Sequence, residues 1–326
     1  MRLKLVPSDT SLDFFKLSKL TLSASVLAMI ASVVLFFMMG LNYGIDFRGG
    51  TTIRTDAQST VDIAAYRAAL VPLGLGDVSI TQVIDPAAQL TGAISNVSQI
   101  RIEAQAGAEA ATIDTIKAVK NALIEVDPTM SFPQIDSVGP KVSGELIQTA
   151  VIAVFLAIAA VLFYIWLRFE WQFSVGAVAA LVHDVVLTIG VFSVLQIKFD
   201  LAIIAALLTI VGYSLNDTVV VFDRVRENLR KYKKKPLKDV LNMSINETLA
   251  RTVMTSLTTL IALISLFVLG GDVIHGFVFA MIWGVVVGTY SSVFVASAIL
   301  LRLGVKRDWN KVNDGRAGTQ FADIDA

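Results

Sequence analysis

The chain has 326 residues, of which 55% are hydrophobic and 17% are charged, and its formal net charge is zero. This composition argues against an ordinary soluble domain, and the lack of cysteine excludes disulfides and thiolate metal sites. We therefore expect a membrane protein with no nucleic-acid partner and no metal or other cofactor.

Six apolar runs follow an N-terminal tail of residues 1–19. Each is long enough to cross a bilayer core of about 30 Å, which takes roughly 20 helical residues. The runs are Leu20–Met39, Leu146–Leu167, Phe173–Leu195, Leu201–Phe222, Thr252–Leu269 and Phe277–Leu300. The first run ends in the bulky residues Phe36–Met39, which do not form a signal-peptide cleavage site, so we expect it to remain as an anchor. The sequence predicts a polytopic α-helical membrane protein with six transmembrane helices, of which the last five occupy residues 146–303.

Residues 40–145, between the first two runs, have the pattern of a small folded domain. Strands are predicted at Gly49–Asp56, Asp77–Ile84, Ser98–Gln105 and Phe132–Val138, and helices at Val61–Val71 and Ala108–Val126. The order βαββαβ is that of a ferredoxin-like α+β domain. Because the domain has no nucleophile–base pair, metal cluster or phosphate loop, we expect it to be a packed domain, with a docking or substrate-contact surface as the alternative role.

Lysine and arginine are divided unevenly between the two sides of the predicted spans. One side holds the N-terminal tail, Arg168, the segment 223–250 and the C-terminal tail 304–326, whereas the short loops of the other side hold only Lys198. The positive-inside rule places the lysine-rich side, with both termini, in the cytoplasm. Residues 40–145 are then periplasmic, and 223–250 is predicted to be a basic cytoplasmic loop.

Two charged residues of opposite sign lie at the same side of the predicted membrane region. Asp217 lies in the fourth run, about 9 Å inside the end at Asp223 for a rise of 1.5 Å per residue. Arg251 opens the fifth run from that side. Intramembrane charges are costly and mark ion or substrate pathways, so a carboxylate with a guanidinium nearby predicts a proton pathway. A buried ion pair that only fixes helix packing is the alternative.

Other polar residues in the runs extend this candidate pathway. Asn216 precedes the aspartate of the fourth run, and Thr255 lies one turn after Arg251 in a polar stripe. Such a stripe suits a chain of water molecules, and hydrogen bonding between helices is its alternative role. Asp184, beside His183 in the third run, is a second candidate relay carboxylate, or one member of a local hydrogen-bonded pair.

Gly284 and Gly288 form a GxxxG pattern in the sixth run, continued by Ser291 and Ser292. Small residues at this spacing let membrane helices approach closely. The sequence therefore predicts a site of close helix packing, fixed or movable, at these two glycines.

Several strings of the chain resemble the SecD/SecF family of protein-export membrane proteins, within the resistance–nodulation–division superfamily. They are GIDFRGGT (Gly44–Thr51), VGPKVSGEL (Val138–Leu146), RFEWQFSVGAVAALVHDVVLTIG (Arg168–Gly190), GYSLNDTVVVFDRVREN (Gly212–Asn228), LARTVMTSLTT (Leu249–Thr259) and GVVVGTYSSVFVASAIL (Gly284–Leu300). The first string resembles the family's motif at the start of the outer domain and contains Asp46, Arg48, Gly49 and Gly50. A second, larger outer domain is not found, so the resemblance is to the smaller, SecF-type partner and not to a fused SecDF chain.

The resemblance implies a transport subunit that is not an enzyme. Its implied partners are SecD as a separate chain, the SecYEG translocon, SecA and YajC, with an unfolded secretory or membrane protein as substrate. It implies a late step of export across the cytoplasmic membrane that uses the proton motive force, with Asp217 and Arg251 at the positions that the family ties to proton conduction. Two alternatives remain: a non-conducting scaffold that stabilises the translocon-associated complex, and a small-molecule exporter of the same superfamily, for which the outer domain is small.

Overall fold

The computed structural model describes residues 10–76, 78–83, 96–103, 111–270 and 272–305. In chain order the elements are α1 (Ser18–Met39), α2 (Ile45–Arg48), β1 (Gly50–Asp56), α3 (Ile63–Leu70), a 3₁₀ turn (Val71–Leu73), β2 (Val78–Val83), β3 (Val97–Glu103), α4 (Ile113–Val126), β4 (Ser131–Val138), α5 (Pro140–Arg168), α6 (Trp171–Leu195), α7 (Leu201–Lys231), α8 (Leu237–Leu269), α9 (Asp272–Ser291), a π-helix (Ser292–Ala296) and α10 (Ser297–Leu303). Six helices in this part of the chain are long and apolar enough to span a membrane, the sixth running from α9 through α10. The six-span prediction is confirmed.

An α/β domain lies between α1 and α5. Its four strands form an antiparallel sheet in the order β2-β3-β1-β4. Because alternate strand residues share a face, Ile53, Ile80 and Ile100 line up across three neighbouring strands. They are buried against α3 and α4, which contribute Tyr66 and Leu123 to the same core. This topology, with the element order βαββαβ, confirms the ferredoxin-like fold.

Polar caps set the start of the two helices that pack on the sheet, α3 and α4. The Asp62 side chain accepts hydrogen bonds from the amides of Ala64 and Ala65, so α3 begins at Ile63 and not at Val61. Thr112 caps α4 in the same way. Several predicted ends lie outside the described residues, namely Asp77, Ile84, Gln105 and the first residues of the helix predicted from Ala108, together with residues 1–9 and 306–326 of the two tails.

The membrane helices divide into a buried centre and an exposed periphery. Helices α6, α7 and α9–α10 carry most of the buried residues, whereas α1, α5 and α8 are largely exposed. Helix α9 lies directly on α7, because a Cβ at Gly284 would overlap the Ile210 side chain and one at Gly288 would lie 3.0 Å from Ser214 Cβ. We call the end of the bundle that carries the α/β domain the domain end, and the end with the α7–α8 connection the basic end.

The segment predicted as a basic loop, 223–250, is mostly helical. Helix α7 continues to Lys231 and α8 begins at Leu237, so only residues 232–236 connect them. Hydropathy identifies only the apolar stretch inside a membrane, whereas an amphipathic helix continues beyond it wherever one side is buried. Here the buried side of this helical hairpin contains Val225, Leu229, Val240 and Leu241.

Candidate functional site: two buried carboxylates

Asp217 is buried in α7 and is held by hydroxyl groups from two other elements. Its Oδ1 accepts a hydrogen bond from Thr252 Oγ1 of α8 at 2.7 Å, and its Oδ2 accepts one from Ser292 Oγ of the π-helix at 2.8 Å. The carboxylate therefore lies where three helical elements meet. A change in its charge would act on all three contacts at once.

Asp184 forms a second buried centre in α6. Its Oδ2 accepts hydrogen bonds from Ser214 Oγ of α7 at 2.5 Å and from Ser291 Oγ of α9 at 2.8 Å. Its Oδ1 lies 3.0 Å from His183 Nδ1. The other imidazole nitrogen, Nε2, is buried without a hydrogen-bond partner among the described residues. No group of three or more side chains suited to a metal ion occurs in the described ranges.

Two consecutive serines connect these centres. Ser291 donates to Asp184 and Ser292 donates to Asp217, so the two carboxylates are bound from adjacent residues of one helix. The regular helix gives way to a π-helix at Ser292, and Ser297 Oγ donates to the Ser292 carbonyl at 3.2 Å. Single π-helical turns inside α-helices occur frequently at functional sites. The sequence showed the serine pair only as an extension of GxxxG packing, and nothing in their spacing identified the carboxylates they bind.

Arg251 does not form an ion pair with Asp217 in the described part of the chain. The guanidinium is exposed, whereas the next residue, Thr252, is buried and contacts the carboxylate. Consecutive residues of a helix point about 100° apart, so both cannot face the same group. Arg251 instead lines an open cleft of about 510 Å³ at the basic end, with Val220, Asp223, Arg224, Glu227, Glu247 and Thr248.

Ion pairs organise the wall of this cleft. Arg224 donates to Glu247 through Nε and to Glu227 through a terminal nitrogen, each at 2.6 Å. Asn228 donates to the same Glu247 oxygen at 2.7 Å. The cleft is therefore a charged, water-accessible recess that ends within one helical turn of Thr252.

Asn216 and Thr255 do not contact Asp217. Asn216 lies on the exposed side of α7. Thr255 is also exposed, and its hydroxyl donates to the carbonyl oxygens of Arg251 at 3.1 Å and Thr252 at 2.9 Å on its own helix. The predicted stripe therefore faces outward. Its hydroxyl groups form hydrogen bonds within their own helix, and its other polar groups face the surroundings of the chain.

These residues belong to a larger exposed surface, which we call the polar face. It comprises Thr209, Gly212 and Asn216 of α7 with Arg251, Thr255 and Thr258 of α8. On α7 the face continues at helical spacing to Val220 and Asp223, which share the cleft with Arg251. Exposed polar and charged side chains are costly against lipid, so this face requires water or another protein beside it.

The motif at the start of the outer domain lies at the domain end, remote from both carboxylates along the chain. Asp46 and Arg48 belong to α2, and Asp46 Oδ2 accepts a hydrogen bond from the Leu201 amide at 3.0 Å. Gly49 and Gly50 have φ values of +73° and +124°, which favour glycine. They turn the chain from α2 into β1.

Comparisons with known proteins agree along the chain. Residues 118–306 match the family described as protein export membrane protein SecD/SecF, C-terminal, and residues 34–61 match the SecD/SecF GG motif. The protein translocase subunit SecF of Cereibacter sphaeroides is 60% identical over 325 residues, covering 100% of this chain and 99% of that protein.

Longer proteins match through part of their length. The protein translocase subunit SecDF of Brucella abortus is 40% identical over 94% of this chain and 39% of its own length. The crystal structure of SecDF, a translocon-associated membrane protein from Thermus thermophilus, matches with a TM-score of 0.80 and 34% identity over 92% of this chain and 39% of that one. The family model matches more than half of the chain, and the relatives that match over its full length are SecF subunits. This chain therefore belongs to the SecD/SecF family of protein-export membrane proteins and is similar to the SecF members of that family.

Proposed function

We propose that this chain is the SecF subunit of a SecDF complex that uses the proton motive force to promote a late step of Sec-dependent protein export. Asp217 is its proton-binding group. Binding and release of the proton change the contacts among α7, α8 and the π-helix, and this movement drives the α/β domain. The chain acts as a transport subunit and not as an enzyme.

The observation that carries this proposal is the nature of the groups around Asp217. A hydroxyl can donate a hydrogen bond to a charged carboxylate and can also accept one from a protonated carboxyl. Thr252 and Ser292 can therefore serve both protonation states by rotating. A carboxylate clamped by an arginine would be held in its charged form, whereas the hydroxyl groups on Asp217 can change from donating to accepting when the carboxylate takes up a proton.

Arg251 acts as a gate beside this group. It lies at the cleft of the basic end, one residue from the threonine that binds Asp217. Its charge is permanent, so it cannot carry the proton. Its charge stabilises the anionic form of Asp217, and its guanidinium binds water in the cleft. The cleft is the route by which the proton leaves toward the basic end.

SecD covers the polar face. This chain matches 39% of the length of the single-chain SecDF proteins. The rest of such a protein is larger than this chain and can contribute the helices that pack on the exposed surfaces of α7 and α8. Gly212 and Asn216 offer small and hydrogen-bonding contacts of the kind that membrane helices use. Arg251 is then shielded from lipid at the junction of the two proteins.

The orientation follows from charge. The basic end is cytoplasmic together with both termini, and residues 40–145 are periplasmic, in accordance with the positive-inside rule. SecYEG, with SecA and YajC, is the machinery with which this complex works, and the α/β domain contacts the emerging unfolded polypeptide on the periplasmic side.

The test is export into inner-membrane vesicles that contain SecD and the translocon. We expect Asp217→Asn to preserve assembly with SecD and to abolish the stimulation of export by a proton gradient, because the amide cannot take up a proton. Asp239→Asn, an exposed substitution on the neighbouring helix α8, is the matched control and should behave as wild type. Normal gradient stimulation with Asp217→Asn would refute the proposal.

A structural scaffold is the second candidate, and one observation favours it. The bonds of Asp217 join α7, α8 and the π-helix, as a purely structural clamp would. Under this alternative, Asp217→Asn impairs assembly with SecD or has no effect at all. Co-purification of SecD and gradient-stimulated export, both measured with the variant, separate the two functions, because only the proton-coupled function predicts intact assembly with lost stimulation.

A further inference from the structure

Asp46 connects the α/β domain to the helix that carries Asp217. Its carboxylate accepts a hydrogen bond from the Leu201 amide, the first of α7, at 3.0 Å. The first amides of a helix have no partner within the helix, and an acidic group there also interacts favourably with the helix dipole. Asp200, the residue directly before α7, is the N-cap of the helix, and its carboxylate accepts a hydrogen bond from the Ile203 amide at 3.2 Å. Helix α7 therefore has two carboxylate caps, one of them supplied by α2.

Backbone contacts hold α2 in this place. The Gly44 amide donates to the Phe199 carbonyl, and the Phe199 amide donates to the Asn42 carbonyl, each at 2.7 Å. A Cβ at Gly44 would lie 3.1 Å from Lys198 Cε and 3.2 Å from Asp200 Cβ, so glycine allows this close approach. The chain leaving α1 is thus laid directly on the short segment that precedes α7.

The other end of α2 leads straight into the sheet. Gly49 and Gly50 make the turn, and β1 begins at Gly50. Strand β1 is hydrogen-bonded on both sides, to β3 and to β4. A displacement of α2 therefore acts on the centre of the sheet, with no long flexible linker between them.

The same helix extends from this junction to the proton site. Asp217 lies sixteen positions after Leu201, which corresponds to about 24 Å of helix. Resting on the proposed function, we propose that Asp46 is a positioning residue that transmits the movement of α7 to the α/β domain. The contact stays closed during the cycle, and the helix and the domain move together.

The test compares variants in vesicles containing SecD and the translocon, with both export and proton uptake measured. Asp46→Ala removes the acceptor and should lower gradient-stimulated export about fivefold, the effect of losing one helix-capping bond. Proton uptake dependent on Asp217 should persist, because the proton site is intact. Asp46→Asn keeps an oxygen acceptor and should restore much of the export.

Asn42→Ala is the matched control at the same junction. Its side chain donates to the Gln196 carbonyl at the end of α6, at 3.0 Å, and not to α7. Export should stay within about twofold of wild type, as for a substitution outside the transmitting contact. Equal losses in Asn42→Ala and Asp46→Ala would overturn the inference, because they would indicate general loosening of the junction.

A reversible covalent link gives a second test. The chain has no cysteine, and a Cβ at Gly44 would lie 3.2 Å from Asp200 Cβ, so Gly44→Cys with Asp200→Cys, added to Asp46→Ala, introduces one pair of cysteines that can form a disulfide across this junction. Oxidation should restore export and reduction should abolish the restoration. A cross-linked protein that remains inactive would contradict a permanently closed contact. If Asp217→Asn exports normally, the proposed function itself fails; if only the Asp46 variants behave as wild type, this inference alone fails.

Discussion

Hydroxyl groups, and not cations, surround the two buried carboxylates of the membrane region. Ser291 and Ser292 differ by one position and bind different acids, on different helices. A hydrogen bond to a charged group contributes about 1.5–3 kcal/mol, so each serine has a measurable share in fixing the charged state. Under the proposed function, single residues therefore set the proton chemistry.

Ser292→Ala should reduce gradient-stimulated export by about tenfold, because it removes a bond worth about 1.5 kcal/mol from the Asp217 carboxylate. Initial export rates in the vesicle assay measure the effect. Ser297→Ala is the control, since its hydroxyl donates to a backbone carbonyl and not to a carboxylate. Similar losses in the two variants would mean that the π-helix is disturbed as a whole.

Asp127 gives the α/β domain a dependence on pH. Hydrogen bonds from Ser59 and Thr129 hold the pKa of this carboxyl below its usual value. The resulting stability is present above the unfolded-state pKa of about 3.9 and is lost as pH falls through the lower folded-state pKa. Asp127→Asn should lower the stability of the domain at neutral pH and should reduce the loss of that stability as the pH falls into the acid range. Hydrogen exchange of β1 and β4 in the full-length protein would show either result, and an unchanged acid profile would contradict this assignment.

At the scale of elements, α7 links the functional parts of the chain. It contacts α2 at the domain end, carries Asp217 in its middle and lines the cleft at the basic end. Helix α9 packs on it without intervening side chains at Gly284. Under the proposed function, the movement of α7 therefore depends on how closely α9 can approach it.

Gly284→Ala should destabilise the subunit by about 1–3 kcal/mol, because the added methyl overlaps Ile210 in a packed interior. Thermal unfolding of the purified protein in detergent measures this change. Gly212→Ala is the matched control on α7, where no atom lies within 4 Å of the added Cβ. That variant should retain or exceed wild-type stability, since alanine favours a helix over glycine by up to about 1 kcal/mol. The opposite order of stabilities would show that the α7–α9 contact is loose.

At the scale of the whole molecule, the exposed surfaces of the bundle differ in polarity. The polar face exposes Arg251 and Asn216, whereas the peripheral helix α5 exposes Phe155, Leu156 and similar apolar residues. Lipid suits the second surface and not the first. The asymmetry indicates which side a partner protein covers.

Gly212→Leu should leave the fold of the subunit intact, because the position opens into empty space, but should weaken co-purification with SecD. We expect at least about a tenfold loss of association, as overpacking a helix contact costs 1–3 kcal/mol. Ala159→Leu, on the exposed side of α5, should have no effect. If the two variants retain SecD equally, the partner does not dock on α7.

Much of the architecture could be predicted from local patterns. The third and fifth membrane spans, α6 and α8, end at Leu195 and Leu269, where the predicted apolar runs end. Hydropathy predicts these ends well because it detects the stretch of chain that lies in the membrane. The prediction of a loop over 223–250 failed in part because burial beyond the membrane depends on which helix lies opposite. Asp217 was identifiable as an unusual intramembrane acid, but its serine partner, 75 residues away, was not.

The sequence by itself determined the six spans, the ferredoxin-like order of the outer domain and the rare intramembrane charges, because each depends on periodicity or composition within a short window. Only the tertiary structure decided what those charges contact. Arg251 and Thr252 are consecutive in α8 and point in different directions, so that Thr252 faces Asp217 and Arg251 faces the cleft. Helix packing sets these directions through contacts between distant segments, such as Gly284 with Ile210, and such contacts leave no local pattern in the chain.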